Sequence, residues 1–427
     1  MATPFHLIWF STYAARNWDL PDNQNYHWRD PHVYHDMAHV LETRGKFDAI
    51  VFADSDGIPT TYAGKNDYYV KYGLENVGKG DPLPIFAALA ASTKHLGLVP
   101  TLSTTFFTPQ LLAQTVGTLD HLSAGRSGWN IVTSLSSHNA QNYGLDDLPS
   151  GNQRYDQADE FMETVETLWS EATVDSDSNN SGRLRMPALP QGKPVYMQAG
   201  GSERGRTFAA RHAELVIAHI NTPKAMKEFR DDMRRRIAAI GRDPDSCKFF
   251  FTVKPLIAET TKEARAQYAK QKSRPALNVE SGLVNYASRI GYDVSKLPLD
   301  EPLPLDLPIV GSTGIFRQHM ENGRAPTLRE IGQMEAVKES YLALGTAEEV
   351  ANQLATDMDY IGGDGFAIRE TMHPSNVIPV VERLVPALQA RGLTRSEYRY
   401  PTFRENLLDP EFNQPARLAD MPRAASR

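Results

Sequence analysis

The side chains best suited to chemistry in this sequence sit at the ends of short apolar runs. Asp54 closes the run Phe52-Ala53, and a carboxylate there can accept hydrogen bonds from a ligand or fix a loop. Thr101-Leu102-Ser103-Thr104-Thr105 ends the next run, so Thr101 and Thr104 can offer hydroxyls to a polar ligand edge, although threonine is equally at home in a strand. Asn130 stands among apolar neighbours in Trp129-Asn130-Ile131-Val132, where a buried amide needs partners for both its oxygen and its nitrogen. A flat heterocycle with carbonyl and N–H edges would supply them, and so would a backbone segment. Tyr155 opens a helical stretch, either packing on a rim or donating its phenol to a phosphate. Gln198 to Arg206 joins an apolar run to a helix. Its glycines allow close backbone approach, the helix N-terminus offers unpaired N–H groups, Ser202 adds a hydroxyl, and Arg204 or Arg206 can add charge. This is a candidate phosphate cradle whose spacing is neither a dinucleotide fingerprint nor a P-loop. The plainer reading is a serine-capped helix.

The elements that must position these groups repeat one rhythm of strand, loop and helix. Apolar strands are expected at Phe5–Phe10, Phe47–Ala53, Leu96–Thr101, Gly128–Val132, Val195–Gln198, Leu215–His219, Lys248–Lys254 and Gly365–Ile368, with helical stretches between them. Such alternation demands a parallel sheet with helices outside, and eight strands is the number that closes a (β/α)8 TIM barrel. The loops after the strands then form one active-site face, and the candidates above all fall on it. Residues 272–335, rich in Pro, Ser, Gly and Leu, interrupt the rhythm and are too short for a second domain with its own large core. They are expected as an insertion over the barrel mouth. The whole chain, 1–427, is therefore read as a single barrel, with 400–427 as a C-terminal tail on the surface or on a neighbouring subunit.

Composition excludes other classes. The chain has 427 residues, 41% hydrophobic, and a formal net charge of -7 without a basic block, which argues against a nucleic-acid partner. One cysteine, Cys247, allows no internal disulfide and suits a reducing cytoplasm. No secretory signal and no apolar run of membrane-spanning length is expected. His32, His35 and His39 share a helix, but no glutamate follows His35, so they are read as capping or solvated and no metal is expected. No Gly-x-Ser-x-Gly elbow suggests a hydrolase.

The stretch Asp120-His121-Leu122-Ser123-Ala124-Gly125-Arg126-Ser127-Gly128-Trp129-Asn130-Ile131-Val132-Thr133-Ser134 resembles the signature of the bacterial-luciferase-like superfamily, in its nitrilotriacetate and dibenzothiophene-sulfone monooxygenase branch. Gly45-Lys46-Phe47-Asp48, Arg154-Tyr155 with Ala158-Asp159-Glu160-Phe161, Gln198-Ala199-Gly200, Gly345-Thr346, Gly363-Asp364-Gly365-Phe366 and Leu384-Val385-Pro386 fit the same pattern. The resemblance implies an FMN-binding barrel, usually a homodimer or homotetramer. Such an enzyme receives reduced FMN (FMNH2) from a separate NAD(P)H-dependent flavin reductase and uses O2 to oxidise a small molecule at sulfur, nitrogen or an adjacent carbon. Carried onto this chain, it puts Asp54, Thr101 (or Thr104) and Asn130 near the isoalloxazine and Tyr155 and Ser202 on the phosphate.

Where this chain departs from the pattern, substrate groups cannot simply be transferred. Gly151 stands where many relatives have histidine, Ser340 replaces another histidine, and Ile368-Arg369-Glu370 replaces an apolar Leu-Met. Thr12 to Trp18 replaces a His-rich turn followed by Ala-Trp-Arg. Tyr13 and His138 are candidates to orient or protonate the reacting groups, against rim packing or a surface loop. Arg369 is expected to face an anionic substrate group, against a salt bridge with Glu370 or a loop carboxylate. Two other classes fit the same barrel: a deazaflavin-dependent dehydrogenase, which would consume no oxygen, and a non-catalytic flavin-binding protein.

Overall fold

The computed structural model describes residues 3–14, 27–55, 57–74, 78–134, 137–172, 184–274, 277–311, 315–316, 319, 325–337 and 340–412. Its strands are β1 (His6–Ser11), β2 (Ala49–Phe52), β3 (Gly97–Ser103), β4 (Gly128–Val132), β5 (Val195–Gln198), β6 (Leu215–Ala218), β7 (Lys248–Ile257), β8 (Tyr341–Gly345) and β9 (Gly365–Arg369). Every pairing is parallel, and the order β6-β5-β4-β3-β2-β1-β9-β7 closes through β6–β7 into a (β/α)8 barrel. These eight are the strands expected from the apolar runs. β8 was not expected. It pairs with Val253–Ile257, of which Lys254 onward continues beyond β6 and β9, so it extends a barrel strand without entering the ring.

The side-chain period of two divides each strand between two cores. Ile8, Phe10, Ala49, Val51, Val99, Met197, Ile217, Phe250 and Ala367 fill the barrel interior. Leu7, Trp9, Ile50, Phe251, Phe366 and Ile368 face the helices. The interior is sealed at the strands' N-terminal end by Phe403 and Leu407, both fully buried in the helix Phe403–Leu407. Phe403 N–H donates to the Gly125 carbonyl at 3.0 Å, and its ring lies 2.8 Å from where a Cβ on Gly97 would stand. The first part of the tail is therefore a plug and not a surface strap. It is drawn in because a barrel of small inner residues such as Ala49, Gly97 and Gly128 leaves apolar space for it to fill. Residues 413–427 lie outside the described residues, as does the polar loop Ser176–Gly182.

Much of the family-like signature serves this frame. Arg126, 2% exposed, donates to Ser123 O, Thr93 Oγ1, Leu96 O, Ala90 O and Thr93 O. Asp120 accepts from Ser127 N–H, Ser127 Oγ and Gln191 Nε2. Asp48 accepts from His6 Nδ1 and Leu7 N–H, and pairs with Arg395.

The insertion does have an apolar core, but it shares it. Leu283, Tyr286, Ile290, Leu328 and Ile331 pack with Tyr62 and Tyr69 from the loop after β2. Neither segment has enough apolar surface alone; together they bury it. The helices Val279–Ile290 and Leu328–Ala336 cross where Gly282 meets Gly332, and a Cβ on Gly282 would collide with the Gly332 carbonyl. Ala63 N–H to Asp293 (3.1 Å) and Lys71 to Glu280 (2.7 Å) join the two segments. The loop that carries Tyr62 and Tyr69 leaves β2 at its C-terminal end. No helix among the described residues is long and apolar enough to cross a membrane.

Candidate active site

The strand ends carry two neighbouring polar groups. The first centres on Asn130, which faces the interior of β4 and is 3% exposed. Its Nδ2 donates to Thr101 Oγ1 at 2.7 Å, and Thr101 Oγ1 donates to the Phe52 carbonyl at 2.8 Å. The threonine proton is thus committed to Phe52, which orients the amide: nitrogen to Thr101, oxygen away. Asn130 Oδ1 is buried and has no hydrogen-bond partner among the described residues. An unmatched buried acceptor costs about 1–3 kcal/mol, which a ligand N–H would remove.

Asp54 lies beside this pair at the end of β2. Its Oδ1 accepts from Ser55 N–H at 2.8 Å and pairs with Lys79 Nζ at 2.5 Å, with both side chains largely buried. Sequence reasoning missed Lys79, because nothing local links it to Asp54. Thr104 donates to the Val132 carbonyl at 3.4 Å, and Thr105 to the Thr133 carbonyl at 2.8 Å. Thr104 therefore ties the tops of β3 and β4 together, and Thr101 is the hydroxyl in contact with Asn130.

The second group lies at β5, the next strand, where Asn130 is in register with Met197 and Ile131 with Gln198. Gln198 Nε2 donates to the Tyr155 hydroxyl at 3.3 Å, and Gln198 Oε1 accepts from Gly200 N–H at 2.5 Å. Ser202 caps the helix Glu203–His212, its Oγ accepting from Gly205 N–H at 3.1 Å. The Tyr155 hydroxyl and Ser202 Oγ border the same space beside Gly205. A Cβ on Gly205 would sit 2.8 Å from the Tyr155 oxygen and 3.1 Å from Ser202 Oγ; on Gly200 it would sit 2.9 Å from the Tyr155 oxygen. The glycines thus keep a hydroxyl-lined hollow open. Burial raises the Tyr155 pKa, so the phenol keeps its proton as a donor.

The two arginines expected to add charge here are engaged elsewhere. Arg204 pairs with Asp156 (2.9 Å) and Asp159 (2.5 Å), and Asp159 also holds His212. Arg206 pairs with Asp232 at 3.1 Å and donates to the Gly201 carbonyl. Carboxylates on adjacent helices pair with both, while the Arg204 guanidinium stands 5.7 Å from the Tyr155 ring centre.

The remaining candidates surround the mouth. Tyr13 follows β1, its ring edge-on to Tyr34 and Trp28 at 5.1 and 5.4 Å and stacked over Phe52, and burial raises its pKa. His138 belongs to the helix Ser137–Asn142, but its side chain lies outside the described residues. Arg369 ends β9, on the inward parity of Ala367 and across the eight-strand ring from β4. Sequence reasoning missed His219, although the strand-end rule would have found it. It follows β6, lies edge-on to Phe10 at 5.6 Å, and hydrogen-bonds Thr252 Oγ1 at 3.0 Å. Away from this face, His35 pairs with Asp36, and the described residues hold no group of three or more metal-ligating side chains.

On one side of one mouth, the chain thus brings together an open amide acceptor, a carboxylate and a hydroxyl hollow at a helix N-terminus. Such a set can hold a flat ring with an N–H edge and, next to it, a phosphate.

Residues 6–365 match the family described as "Luciferase-like monooxygenase". The dibenzothiophene-sulfone monooxygenase of Rhodococcus erythropolis is 33% identical over 427 aligned residues, covering 93% of each chain. Nitrilotriacetate monooxygenase component A of Aminobacter aminovorans is 30% identical, covering 91% of this chain and 92% of its own. Among solved structures, a riboflavin lyase with modified FMN and riboflavin superposes with a TM-score of 0.85 at 29% identity, covering 96% of each chain.

Proposed function

This chain belongs to the luciferase-like monooxygenases, a family of flavin-dependent oxidoreductases, and from that premise we propose that it is the FMN-dependent oxygenase component of a two-component system. A separate NAD(P)H-dependent flavin reductase supplies the reduced FMN. The substrate is a small organic molecule oxidised at sulfur, nitrogen or an adjacent carbon, with C–S or C–N cleavage as an outcome. Relatives named for a sulfone and for an aminocarboxylate favour that chemistry. The observation that carries the flavin reading is the buried, partnerless Asn130 Oδ1 beside the Tyr155–Ser202 hollow.

In this reading Asn130 Oδ1 accepts from the ring N–H, and Thr101 holds the amide in that orientation. Asp54, paired with Lys79, borders the ring, and Thr104 braces the wall behind it. Tyr155 and Ser202 donate their hydroxyls to the phosphate. When bound, the reduced flavin supplies the electrons with which dioxygen oxidises the substrate. Tyr13 and His138 orient the reacting groups or deliver a proton. Arg369 takes an anionic group of the substrate from across the barrel, and residues 272–335 act as a lid that keeps water out.

The test combines the purified chain with a generic flavin reductase, NADH, FMN and O2. Sulfonates, thioethers, aminocarboxylates and sulfones are then screened by mass spectrometry for a gain of oxygen. Turnover of a substrate without oxygen consumption at an electrode would replace this reading with the dehydrogenase.

A further inference from the structure

We infer that Arg154 provides the positive charge that neutralises the flavin phosphate, an inference that rests on the FMN reading above. A phosphate monoester brings a charge of about −1.5 to −2 at neutral pH, and hydroxyl donors alone leave it uncompensated. Arg204 and Arg206, the nearest in sequence, are held by Asp156, Asp159 and Asp232.

Arg154 is in the opposite condition. It is 3% exposed, in the first turn of the helix Gly151–Ser170, directly before Tyr155. Its Nη1 donates to the Pro149 carbonyl at 2.5 Å, while Nε is buried with no hydrogen-bond partner. Among the described residues no carboxylate forms an ion pair with it. Arg126 shows what a purely structural arginine looks like in this protein: equally buried, with its guanidinium bonded to Ser123, Thr93, Leu96 and Ala90. Arg395, also buried, has Asp48. A buried cation without a counter-ion is costly to keep, and an anion brought by a ligand removes that cost.

Its surroundings indicate where the anion lies. Arg154 directly precedes Tyr155, whose phenol oxygen belongs to the glycine-walled hollow, and the charges of Arg154 and Arg204 both act on that phenol. Nη2 lies 3.8 Å from where a Cβ on Gly151 would stand. With glycine at 151, the space beside the guanidinium is left open. Burial lowers the Arg154 pKa, and Tyr155 and Asp147 oppose that shift.

Riboflavin is FMN without the phosphate, so the pair isolates this interaction. Dissociation constants of both are measured by flavin fluorescence quenching for the full chain, Arg154→Met and Arg154→Lys. The wild type should prefer FMN by on the order of 100-fold. Arg154→Met should lose about 30-fold for FMN and less than about 3-fold for riboflavin, with most of the FMN loss recovered in Arg154→Lys. Should the methionine variant not fold, Arg154→Gln, which keeps a donor for Pro149, takes its place. A folded neutral variant that retains the wild-type ratio of the two constants overturns the role of Arg154 and leaves the FMN reading standing. A wild type that binds neither flavin overturns both.

Discussion

Replacing Asn130 with alanine should weaken flavin binding without weakening the flavin-free fold. In the free protein the substitution removes the 2.7 Å bond from Nδ2 to Thr101, a loss of about 1 kcal/mol. It also removes the buried Oδ1 that has no partner, a gain of about 1–3 kcal/mol. Thr101 keeps its own bond to Phe52, so the strand ends stay tied. The two terms offset, and flavin-free stability should stay within about 1–2 kcal/mol of wild type. With flavin bound, the ring N–H would face an apolar methyl in a closed site. The lost acceptor is worth about 1–3 kcal/mol, or roughly 5- to 150-fold in Kd. Flavin titration and flavin-free thermal melting of the two proteins separate these effects. A Tm lowered by more than about 5 °C with an unchanged flavin Kd would refute the reasoning, since Asn130 would then be an amide that serves only the barrel.

Gly205→Ala would place a methyl 2.8 Å from the Tyr155 oxygen. It should cost about tenfold or more in FMN affinity while leaving helix content unchanged, because alanine favours a helix by about 1 kcal/mol over glycine; circular dichroism and FMN titration decide, and unimpaired FMN binding would reject the hollow. Arg369→Ala should raise KM for an anionic substrate by roughly 10- to 100-fold with kcat nearly unchanged; an unchanged KM in steady-state kinetics removes Arg369 from the substrate site. Stability should fall on mild acidification, because burial holds His6, His212 and His373 below the ordinary histidine value of 6.5. Neutral in the fold, they contribute stability above that value, and as the pH drops below it the unfolded chain takes up protons first, at up to about 1.4 kcal/mol per pH unit for each. Calorimetric melting between pH 7.5 and 5.5 at constant ionic strength measures this, and a flat Tm would contradict it.

Sequence period and local chemistry alone determined the eight ring strands and the face on which function lies. A strand repeats every two residues, but a run such as His6–Ser11 is buried throughout, so only the closed barrel decides which of its side chains point inward. The rule that loops after strands form the active-site face put Asn130 and Arg369 on that face, and Ser202 was legible as a helix cap from the residues around it. Tertiary structure alone decided which charges have partners. Arg204 or Arg206 could add charge to the cradle by their place just after Ser202, yet Asp159 and Asp232 on neighbouring helices pair with them. Arg154, legible in sequence only as half of an Arg-Tyr motif, is a buried cation whose Nε has no partner and which no carboxylate pairs with among the described residues. Lys79 reaches Asp54, Phe403 fills the base of the barrel, and β8 finds an edge on β7. Periodicity is a property of adjacent residues and survives in any window of sequence. Pairing and plugging depend on distances between segments far apart in the chain, which only the closed barrel sets.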